Sequence, residues 1–242
     1  MMKWIVTIVA AFSVTLFGAC HSTEPTPVKE LSTEEKVRGN IEQLKAMATT
    51  GDLLVRLNDD VISDRVRYIN EKDHSYSHTG LVVERNNQKF VAHISPEQAG
   101  ADTIQYIPVD SFINPAKHLR CALYRYELSE TERQNLAKVI DEYKNAHVVF
   151  DPVYELTTEN KMYCSEMIYK ALKNATDNRI VCRETTVPKN MQKAVVMFFK
   201  KENITPTQAS TRNIMTIDNL YLRDDCTLLM AFPLQFFPDQ VQ

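Results

Sequence analysis

The sequence predicts an α+β fold, in which helices pack against one antiparallel sheet or small barrel. Three observations predict it. Amphipathic helices flank a run of short strands, a tight turn joins two of those strands, and a later helix begins at a cysteine. A chain of 242 residues is long enough for one large domain. We therefore expect residues 31–242 to form a single domain.

The first helix is predicted over residues 33–49. Ser32 and Glu35 form a capping box at its start, because the serine hydroxyl caps the helix and the glutamate reaches back. Gly51 ends the helix. The apolar residues at helical spacing are Val37, Ile41, Leu44 and Met47.

Apolar runs predict the strands. The Asn86-Asn87-Gln88 stretch joins two of them, and asparagine tolerates the left-handed geometry of a hairpin turn. Residues 58–77 are predicted as a loop or a short helix around 60–69. The predicted strands are 53–57, 78–84, 89–95, 103–109 and 118–126, followed by a short extended piece at 148–151 and late candidates at 213–217 and 226–232.

Further helices follow the strands. Ser129 and Glu132 form a second capping box, which predicts a helix over residues 130–145. Another helix is predicted from Pro188 to about Lys200. Residues 201–212 are expected to be a polar linker.

The N-terminus reads as a targeting segment. Lys3 precedes an apolar run that is short for a membrane span, and small residues then lead to Cys20. Residues 1–19 are predicted as a signal peptide. The Leu16-Phe17-Gly18-Ala19-Cys20 stretch resembles the lipobox of bacterial lipoproteins, which implies cleavage before Cys20 and a lipid on its sulfur. Residues 20–30 then form a tether, and the expected location is the bacterial cell envelope, on the periplasmic or outer-membrane face.

Composition excludes some functions. The formal charge of −3 provides no basic field for nucleic acid, and only five glycines are present, without a phosphate-binding loop.

An exported protein can pair cysteines. A bond between Cys182 and Cys226 is conceivable, but spacing alone assigns no pairing among these and Cys121.

Cys164 is the candidate nucleophile. It stands where a polar loop enters a helix, so unpaired backbone N–H groups and the helix dipole are expected to lower the pKa of its thiol. The same N–H groups are suited to an oxyanion. A lone cysteine on a helix is also often a small buried hydrophobe.

Two histidines complete the candidate site. His78 opens a predicted strand and is the candidate base, while His93 lies near the end of the strand that returns beside it. Because His93 has the apolar neighbours Ala92 and Ile94, its imidazole needs a polar partner, and His78 is the natural one. His93 would then orient the base.

Four ordered motifs carry a resemblance to a known family. They are Gly51-Asp52-Leu53-Leu54, Ser77-His78-Thr79-Gly80-Leu81-Val82, Phe150-Asp151 and Tyr163-Cys164-Ser165-Glu166. Over residues 50–175 the chain resembles the permuted papain-like amidases of the YiiX/YaeF type, in the NlpC-like thiol hydrolase superfamily. The resemblance implies a circularly permuted papain-like fold, with Cys164 as nucleophile, His78 as base and His93 at the third polar place. Relatives often carry glutamate there, whereas a histidine resembles the related lecithin retinol acyltransferase branch.

Neighbouring residues are assigned to substrate binding or support. The resemblance implies a tyrosine near the site, and Tyr163 is the best match. Asp52 is expected to cap a turn, Glu166 to complement the helix dipole and Asp151 to brace the loop before the helix, with Ser165 beside the nucleophile. His118 and His147 are expected on the surface or in loops. His74, His78 and His93 offer an alternative metal set, but the hydrolase needs neither metal nor cofactor.

The predicted function is a cysteine hydrolase acting on an amide, such as a peptide or amino-acid amide, with cell-wall peptides as one substrate class. Two alternatives stay open. An acyltransferase or esterase acting on lipid would need an apolar groove near Cys164, and an inert binding module would have an unreactive thiol. The expected partners are a peptide-like or acyl small molecule and, through the lipid anchor, a membrane.

Overall fold

The computed structural model describes residues 31–96, 103–189, 191–193, 195 and 205–235. The predicted signal peptide and tether lie outside these ranges, as does most of the helix predicted from Pro188. The helices are α1 (Thr33–Met47), α2 (Val61–Val66), α3 (Val109–Phe112), α4 (Glu130–Asn145), α5 (Cys164–Ala175), α6 (Pro206–Thr211) and α7 (Asp218–Tyr221). A 3-10 turn, Arg67–Ile69, follows α2.

Six strands form the main sheet, in the order β10-β5-β1-β2-β3-β4, and each neighbouring pair is antiparallel. These strands are β1 (Leu53–Asn58), β2 (His78–Arg85), β3 (Gln88–His93), β4 (Gln105–Pro108), β5 (His118–Tyr126) and β10 (Cys226–Pro233). The described strands form an open sheet with β10 and β4 at its edges. The antiparallel sheet packed against helices is thus confirmed, and the small-barrel alternative is wrong.

Short strands pair outside the main sheet. They are β6 (Val149–Phe150), β7 (Lys161–Met162), β8 (Thr185–Thr186) and β9 (Asn213–Ile214). The parallel β6–β7 pair brings the chain directly to the start of α5. The strand predicted over 213–217 is shorter than expected, because β9 spans only the first two of these residues.

Helices cover both faces of the sheet. One apolar cluster joins Leu53, Val55 and Leu81 to buried side chains of α4 and α5. A second cluster joins Leu54 and Val82 to α1 and α3. Alternate residues of each strand point to opposite faces, so the near-continuous apolar strands supply both clusters.

The hairpin is set by its turn and by one glycine. Asn86 and Asn87 have φ values of 51° and 59°, and a two-residue hairpin turn of type I′ requires positive φ at both positions. A Cβ at Gly80 would lie 2.4 Å from Cγ1 of Val91 and 2.9 Å from the carbonyl oxygen of Ala92. Only glycine therefore permits β2 and β3 to approach this closely.

The predicted linker over 201–212 contains a helix. Thr205 caps α6, since its hydroxyl accepts the N–H of Gln208 at 3.3 Å and the Gln208 side chain accepts the N–H of Thr205 at 3.0 Å. Pro206 occupies the first turn, where its missing N–H costs nothing. This capping box was present in the sequence and was overlooked because its surroundings are polar.

Candidate active site

Cys164 is the first residue of α5, and its side chain is half-buried. Buried apolar residues of α5, including Ile168 and Leu172, fix the helix against the sheet. The thiol lies beside the backbone N–H groups of Ser165 and Thr79. Thr79 follows His78 directly, so the start of α5 meets the start of β2.

Burial raises the pKa of the Cys164 thiol to about 11, although the N–H groups of Ser165 and Thr79 act in the opposite direction. The expectation of a lowered pKa is therefore wrong for the resting protein. Desolvation of a thiolate outweighs the helix N-terminus, because these N–H groups replace only part of the lost water. The thiol of Cys164 is therefore neutral at neutral pH.

His78 and His93 form a buried pair. Nε2 of His78 lies 3.0 Å from Nδ1 of His93, and the two rings are nearly perpendicular. The pairing of Leu81 with Ala92, continued by one residue, places Gly80 opposite His93. Because Gly80 has no side chain, the imidazole of His93 can lean diagonally towards His78.

Both imidazoles are neutral at neutral pH. Burial, followed by the charge of Arg56, lowers the pKa of His78 well below its usual value and that of His93 to about 4. A neutral pair holds one proton between the two facing nitrogens. When Nε2 of His78 donates it to His93, Nδ1 of His78 keeps a lone pair and can act as a base.

Arg56 and Phe112 are site residues that sequence reasoning missed. Arg56 lies opposite His78 on β1, donates from Nη1 to the Phe112 carbonyl at 2.6 Å, and places its guanidinium 4.3 Å from the centre of the Phe112 ring. The centre of the Phe112 ring lies 5.7 Å from the centre of the His78 ring and 5.5 Å from the centre of the His93 ring. A charged residue inside the apolar run 53–57 was the available signal for Arg56.

His118 is buried on β5, so its predicted surface position is wrong. Burial lowers its pKa to about 3, with the charge of Arg56 as the next cause. The start of β5 lies beside the end of β1, which a strand pattern alone does not reveal. His147, in contrast, is exposed in a turn.

Residues 213–218, here called the bridging segment, connect the two halves of the site. The N–H of Met215 donates to the Tyr163 hydroxyl at 2.6 Å, and its carbonyl accepts from the Ser165 hydroxyl at 2.7 Å. The N–H of Ile217 donates to the side chain of Asn70 at 3.1 Å. The segment thus holds both the start of α5 and the loop that leads to β2.

Asp218 extends this connection. Its buried carboxylate oxygen Oδ2 accepts the N–H groups of Glu71, Lys72 and Asp73 at 3.0, 2.7 and 3.3 Å. A carboxylate that accepts several backbone N–H groups is strongly held. The loop before His78 is therefore fastened to the first residue of α7.

Tyr163, Ser165 and Glu166 occupy supporting positions around α5. The hydroxyls of Tyr163 and Ser165 are those that bind Met215, and Tyr163 is buried. Oε2 of Glu166 accepts the N–H of Tyr163 at 3.2 Å, and Oε1 lies 3.0 Å from the ammonium of Lys170. Burial nevertheless raises the pKa of Glu166 to about 7.

The two predicted support aspartates lie in separate places. Asp151 is buried and accepts the N–H groups of Val153 and Glu155 at 2.9 and 2.5 Å, which braces the loop before α5. Asp52 accepts the N–H of Thr49 and forms a two-bond ion pair with Arg125, at 2.8 and 2.7 Å. Neither aspartate lines the cavity at Cys164.

A cavity of about 370 Å³ opens beside Cys164 and His78. Its wall is mostly apolar and includes α2, Phe150 and the bridging segment. His74 is not among its lining residues. Over the described ranges, no three or more His, Cys, Asp or Glu side chains cluster as a metal site would require.

The other three cysteines that the structure describes do not line this cavity. Cys121, Cys182 and Cys226 are buried and carry free thiols. Burial raises the pKa of Cys182 to about 11 and that of Cys226 to about 12. In the part of the chain that the structure describes, no helix is both long and apolar enough to cross a bilayer.

The chain is similar to known proteins over much of its length. An uncharacterized protein, YiiX of Escherichia coli strain K12, is 27% identical over 133 residues, which cover 54% of this chain and 60% of the relative. The match thus spans less than two thirds of that relative. A crystal structure described as metalloprotein yiiX from Escherichia coli O157:H7 superposes with a TM-score of 0.61 at 20% identity, covering 76% of this chain and 97% of that one.

The structural likeness confirms the fold, since identity is low while most of both chains superposes. The profile of one family, described as permuted papain-like amidase enzymes, YaeF/YiiX, C92 family, matches residues 48–217. That range includes every strand of the site, α5 and most of the bridging segment. This chain therefore belongs to the C92 family of permuted papain-like amidases.

Proposed function

We propose that this protein is a lipid-anchored cysteine hydrolase of the cell envelope that cleaves an amide bond. Cys164 is the nucleophile, His78 the base and His93 the partner of the base. The observation that carries the proposal is the shared cavity of Cys164 and His78, with Nε2 of His78 held 3.0 Å from His93. Membership of an amidase family supports a hydrolase of cysteine type.

The resting protonation states of Cys164 and His78 favour transfer of the thiol proton during the attack rather than before it. The pKa of Cys164 is raised and that of His78 is lowered, so a stable thiolate–imidazolium pair is disfavoured. His78 takes the thiol proton as the sulfur bonds to the substrate carbonyl carbon. The first N–H groups of α5 then stabilise the oxyanion.

His93 stabilises the protonated base. Its pKa of about 4 keeps its imidazole neutral at neutral pH. In the tautomer that carries the proton on Nε2, Nδ1 can accept a hydrogen bond from Nε2 of the His78 imidazolium. His78 next gives its other proton to the departing amine, and the C–N bond breaks. Water hydrolyses the resulting thioester and restores the thiol.

The related structure's description as a metalloprotein does not transfer to these residues. Across the ranges described, the side chains that could ligate a metal do not gather in a set of three or more. The residues present therefore do not fit a metal centre of three protein ligands. No step of the proposed reaction passes through a metal.

The anchor is proposed from the N-terminal sequence alone. Gly18 and Ala19 precede Cys20, whose sulfur would carry the lipid. Mass spectrometry of the N-terminal peptide from membranes should show a diacylglycerol-modified Cys20, and Cys20→Ser should release the protein from the membrane fraction. An unmodified N-terminus in wild type would contradict the anchor without affecting the hydrolase.

The catalytic assignment is tested with N-acyl p-nitroanilides, which report amine release. Cys164→Ser should abolish release, and His78→Gln should lower it by about 10²-fold or more, the usual contribution of a positioned base. His147→Gln is the matched control, because His147 is exposed and lies outside the cavity. An acyl adduct should map to Cys164 by mass spectrometry. Release that persists without Cys164, or no release from wild type, would overturn the hydrolase and favour an inert binding module.

A further inference from the structure

Three rings form a closed triangle at the histidine pair. The ring centres of His78 and His93 lie 5.2 Å apart, and the Phe112 ring lies 5.7 Å from the first and 5.5 Å from the second. The planes of Phe112 and His78 are tilted by 32°, whereas Phe112 and His93 meet edge to face at 73°. All three side chains are buried. Phe112 therefore covers both imidazoles at once.

A hydrogen bond to one partner does not fix an imidazole completely. Nε2 of His78 lies 3.0 Å from Nδ1 of His93, which sets the distance between the two rings. The torsion that turns a histidine ring about its own bond is broad, because it joins an sp³ carbon to an sp² carbon. The Phe112 ring, which packs against His78, supplies a contact that restricts this rotation.

Phe112 is in turn held in place by Arg56. It is the last residue of α3, a helix of only four residues, so the position of its ring depends on contacts outside that helix. Nη1 of Arg56 donates to the Phe112 carbonyl at 2.6 Å, and the guanidinium lies 4.3 Å from the centre of the ring. One side chain thus binds both the backbone and the ring of Phe112.

The register of the sheet places Arg56 at this point. Arg56 on β1 pairs directly with His78 on β2, so the two side chains extend from the same face of the sheet. Neither Arg56 nor Phe112 lines the cavity beside Cys164. A substrate in that cavity would contact the base, but it would touch neither of the two residues that hold the base.

The charge of Arg56 acts on the same pair. Burial first, and then this charge, lower the pKa of both imidazoles, so His78 is kept in the neutral form that a base needs. The charge can be separated from the packing contact by substitution. Lysine would keep the charge, but it lacks the planar guanidinium that bonds the Phe112 carbonyl and lies over the ring.

We propose that Arg56 is a positioning residue that acts through Phe112 to fix the imidazole plane of His78; this rests on the proposed hydrolase. With the ring fixed, Nδ1 of His78 meets the thiol proton of Cys164 in one orientation during the attack. Loss of that orientation slows proton transfer but leaves substrate binding unchanged.

Two variants of the purified full-length protein test the packing contact with an N-acyl p-nitroanilide. Phe112→Leu removes the ring but keeps the backbone carbonyl, and Arg56→Lys keeps the charge but loses the guanidinium. Each should lower kcat by about 10–100-fold, as misplacement of a catalytic group does, while KM changes by less than about threefold. The double variant should lose no more than the more severely affected single variant, because both changes break one unit.

Each variant has a matched control. Phe232→Leu shortens a phenylalanine that is buried in the same apolar cluster, but on β10. Arg65→Lys makes the same exchange at an exposed position of α2 that does not line the cavity. Both controls should keep kcat within about twofold of wild type, since these positions are independent of the histidine pair. Urea unfolding of each protein confirms that it is folded under the assay conditions.

Nuclear magnetic resonance supplies a readout that does not depend on turnover. The proton between Nε2 of His78 and Nδ1 of His93 is buried, so it should exchange slowly with water and give its own signal in protein labelled with ¹⁵N-histidine. Loss of the signal in His93→Leu assigns it. The signal should persist in Phe232→Leu and should be broadened or absent in Phe112→Leu.

The outcomes separate the two proposals. If kcat or the imidazole signal is the same in Phe112→Leu as in Phe232→Leu, or if only KM changes, the positioning role fails while the hydrolase stands. Additive losses in the double variant would show that Arg56 acts independently of Phe112, which also overturns the inference. If wild type shows no release through Cys164, the hydrolase fails, and the positioning of its base fails with it.

Discussion

The hydroxyl of Tyr163, one residue before Cys164, accepts the backbone N–H of Met215 at 2.6 Å. Both groups are buried, and Ser165 binds the carbonyl of the same residue. The start of α5 is therefore fixed by a residue that lies 52 positions later in the chain. Tyr163 thus acts as support for Cys164.

Tyr163→Phe should destabilise the protein by about 1–3 kcal/mol, because it leaves the buried N–H of Met215 without an acceptor. Urea unfolding measures the change in free energy. Tyr143→Phe is the matched control, since its hydroxyl accepts from the exposed Asn174, which can bind water instead. Equal losses in both variants would show that the bond to Met215 has no special value.

Asp218→Asn should weaken the fastening of the loop before His78. The amide keeps one oxygen but loses the charge that strengthens three N–H bonds, so we expect a loss of about 2 kcal/mol and lower amide turnover. Asp110→Asn serves as the control, because Asp110 is exposed and pairs with Lys45 at the surface. Its unfolding free energy should change by less than about 0.5 kcal/mol. An unchanged Asp218→Asn protein would contradict the assigned support role.

Gly80→Ala should destabilise by about 1–3 kcal/mol, because the new methyl would overlap Val91 and the backbone of Ala92. Gly39→Ala is an internal comparison with the opposite sign. Nothing lies within 4 Å of a Cβ at Gly39, and the residue is inside α1, so alanine should stabilise by about 1 kcal/mol. Thermal unfolding of the two variants would reveal the contrast, and shifts of the same sign would refute the packing argument.

Cys164 should react slowly with iodoacetamide at neutral pH, and its rate should keep rising with pH as expected for a pKa of about 11. Because His78 is neutral, His78→Gln should leave that pH dependence nearly unchanged. Peptide mapping separates Cys164 from the three buried cysteines. A plateau near neutral pH that disappears in His78→Gln would instead reveal a resting thiolate–imidazolium pair.

The pH dependence of stability should include opposite contributions from three buried histidines and from Glu166. The lowered pKa values of His78, His93 and His118 make the folded state less stable as pH falls below about 6.5. Glu166 acts in the other direction. Its pKa is about 7 in the folded protein against an ordinary value of 4.5, so the folded state binds its proton more tightly. This contribution is fully present below pH 4.5 and is lost as pH rises to about 7, by at most about 3 kcal/mol. Glu166→Gln does not titrate but keeps an acceptor for the N–H of Tyr163. The unfolding free energy of wild type minus that of this variant should therefore fall between pH 4.5 and 7.

Glu132→Gln provides the control for this measurement. Arg179 and Ser129 lower the pKa of Glu132 to about 2, so its titration lies below the range in which Glu166 titrates. The slope between pH 4.5 and 7 should therefore persist in that variant. A difference between wild type and Glu166→Gln that does not vary with pH in this range would count against the raised pKa.

Most of the longer helices and strands, and their order, can be predicted from the amino-acid sequence. Capping boxes, helical spacing and the Asn86-Asn87 turn depend on residues a few positions apart, so α1, α4, α5 and the hairpin were predicted closely. The predicted hairpin also placed His93 beside His78 on the same face of the sheet. These features are local, because each depends on interactions between residues that are close in the sequence.

The environment of the site depends on how distant segments of the chain pack together. The neutral thiol follows from burial by distant segments, and the cation that acts on both histidines, Arg56, comes from a different strand. The bridging segment reads as a short apolar run, yet it fastens Tyr163 and Asn70 through its backbone. Desolvation and long-range hydrogen bonds depend on which segments of the chain are in contact. A pattern of neighbouring residues does not reveal those contacts.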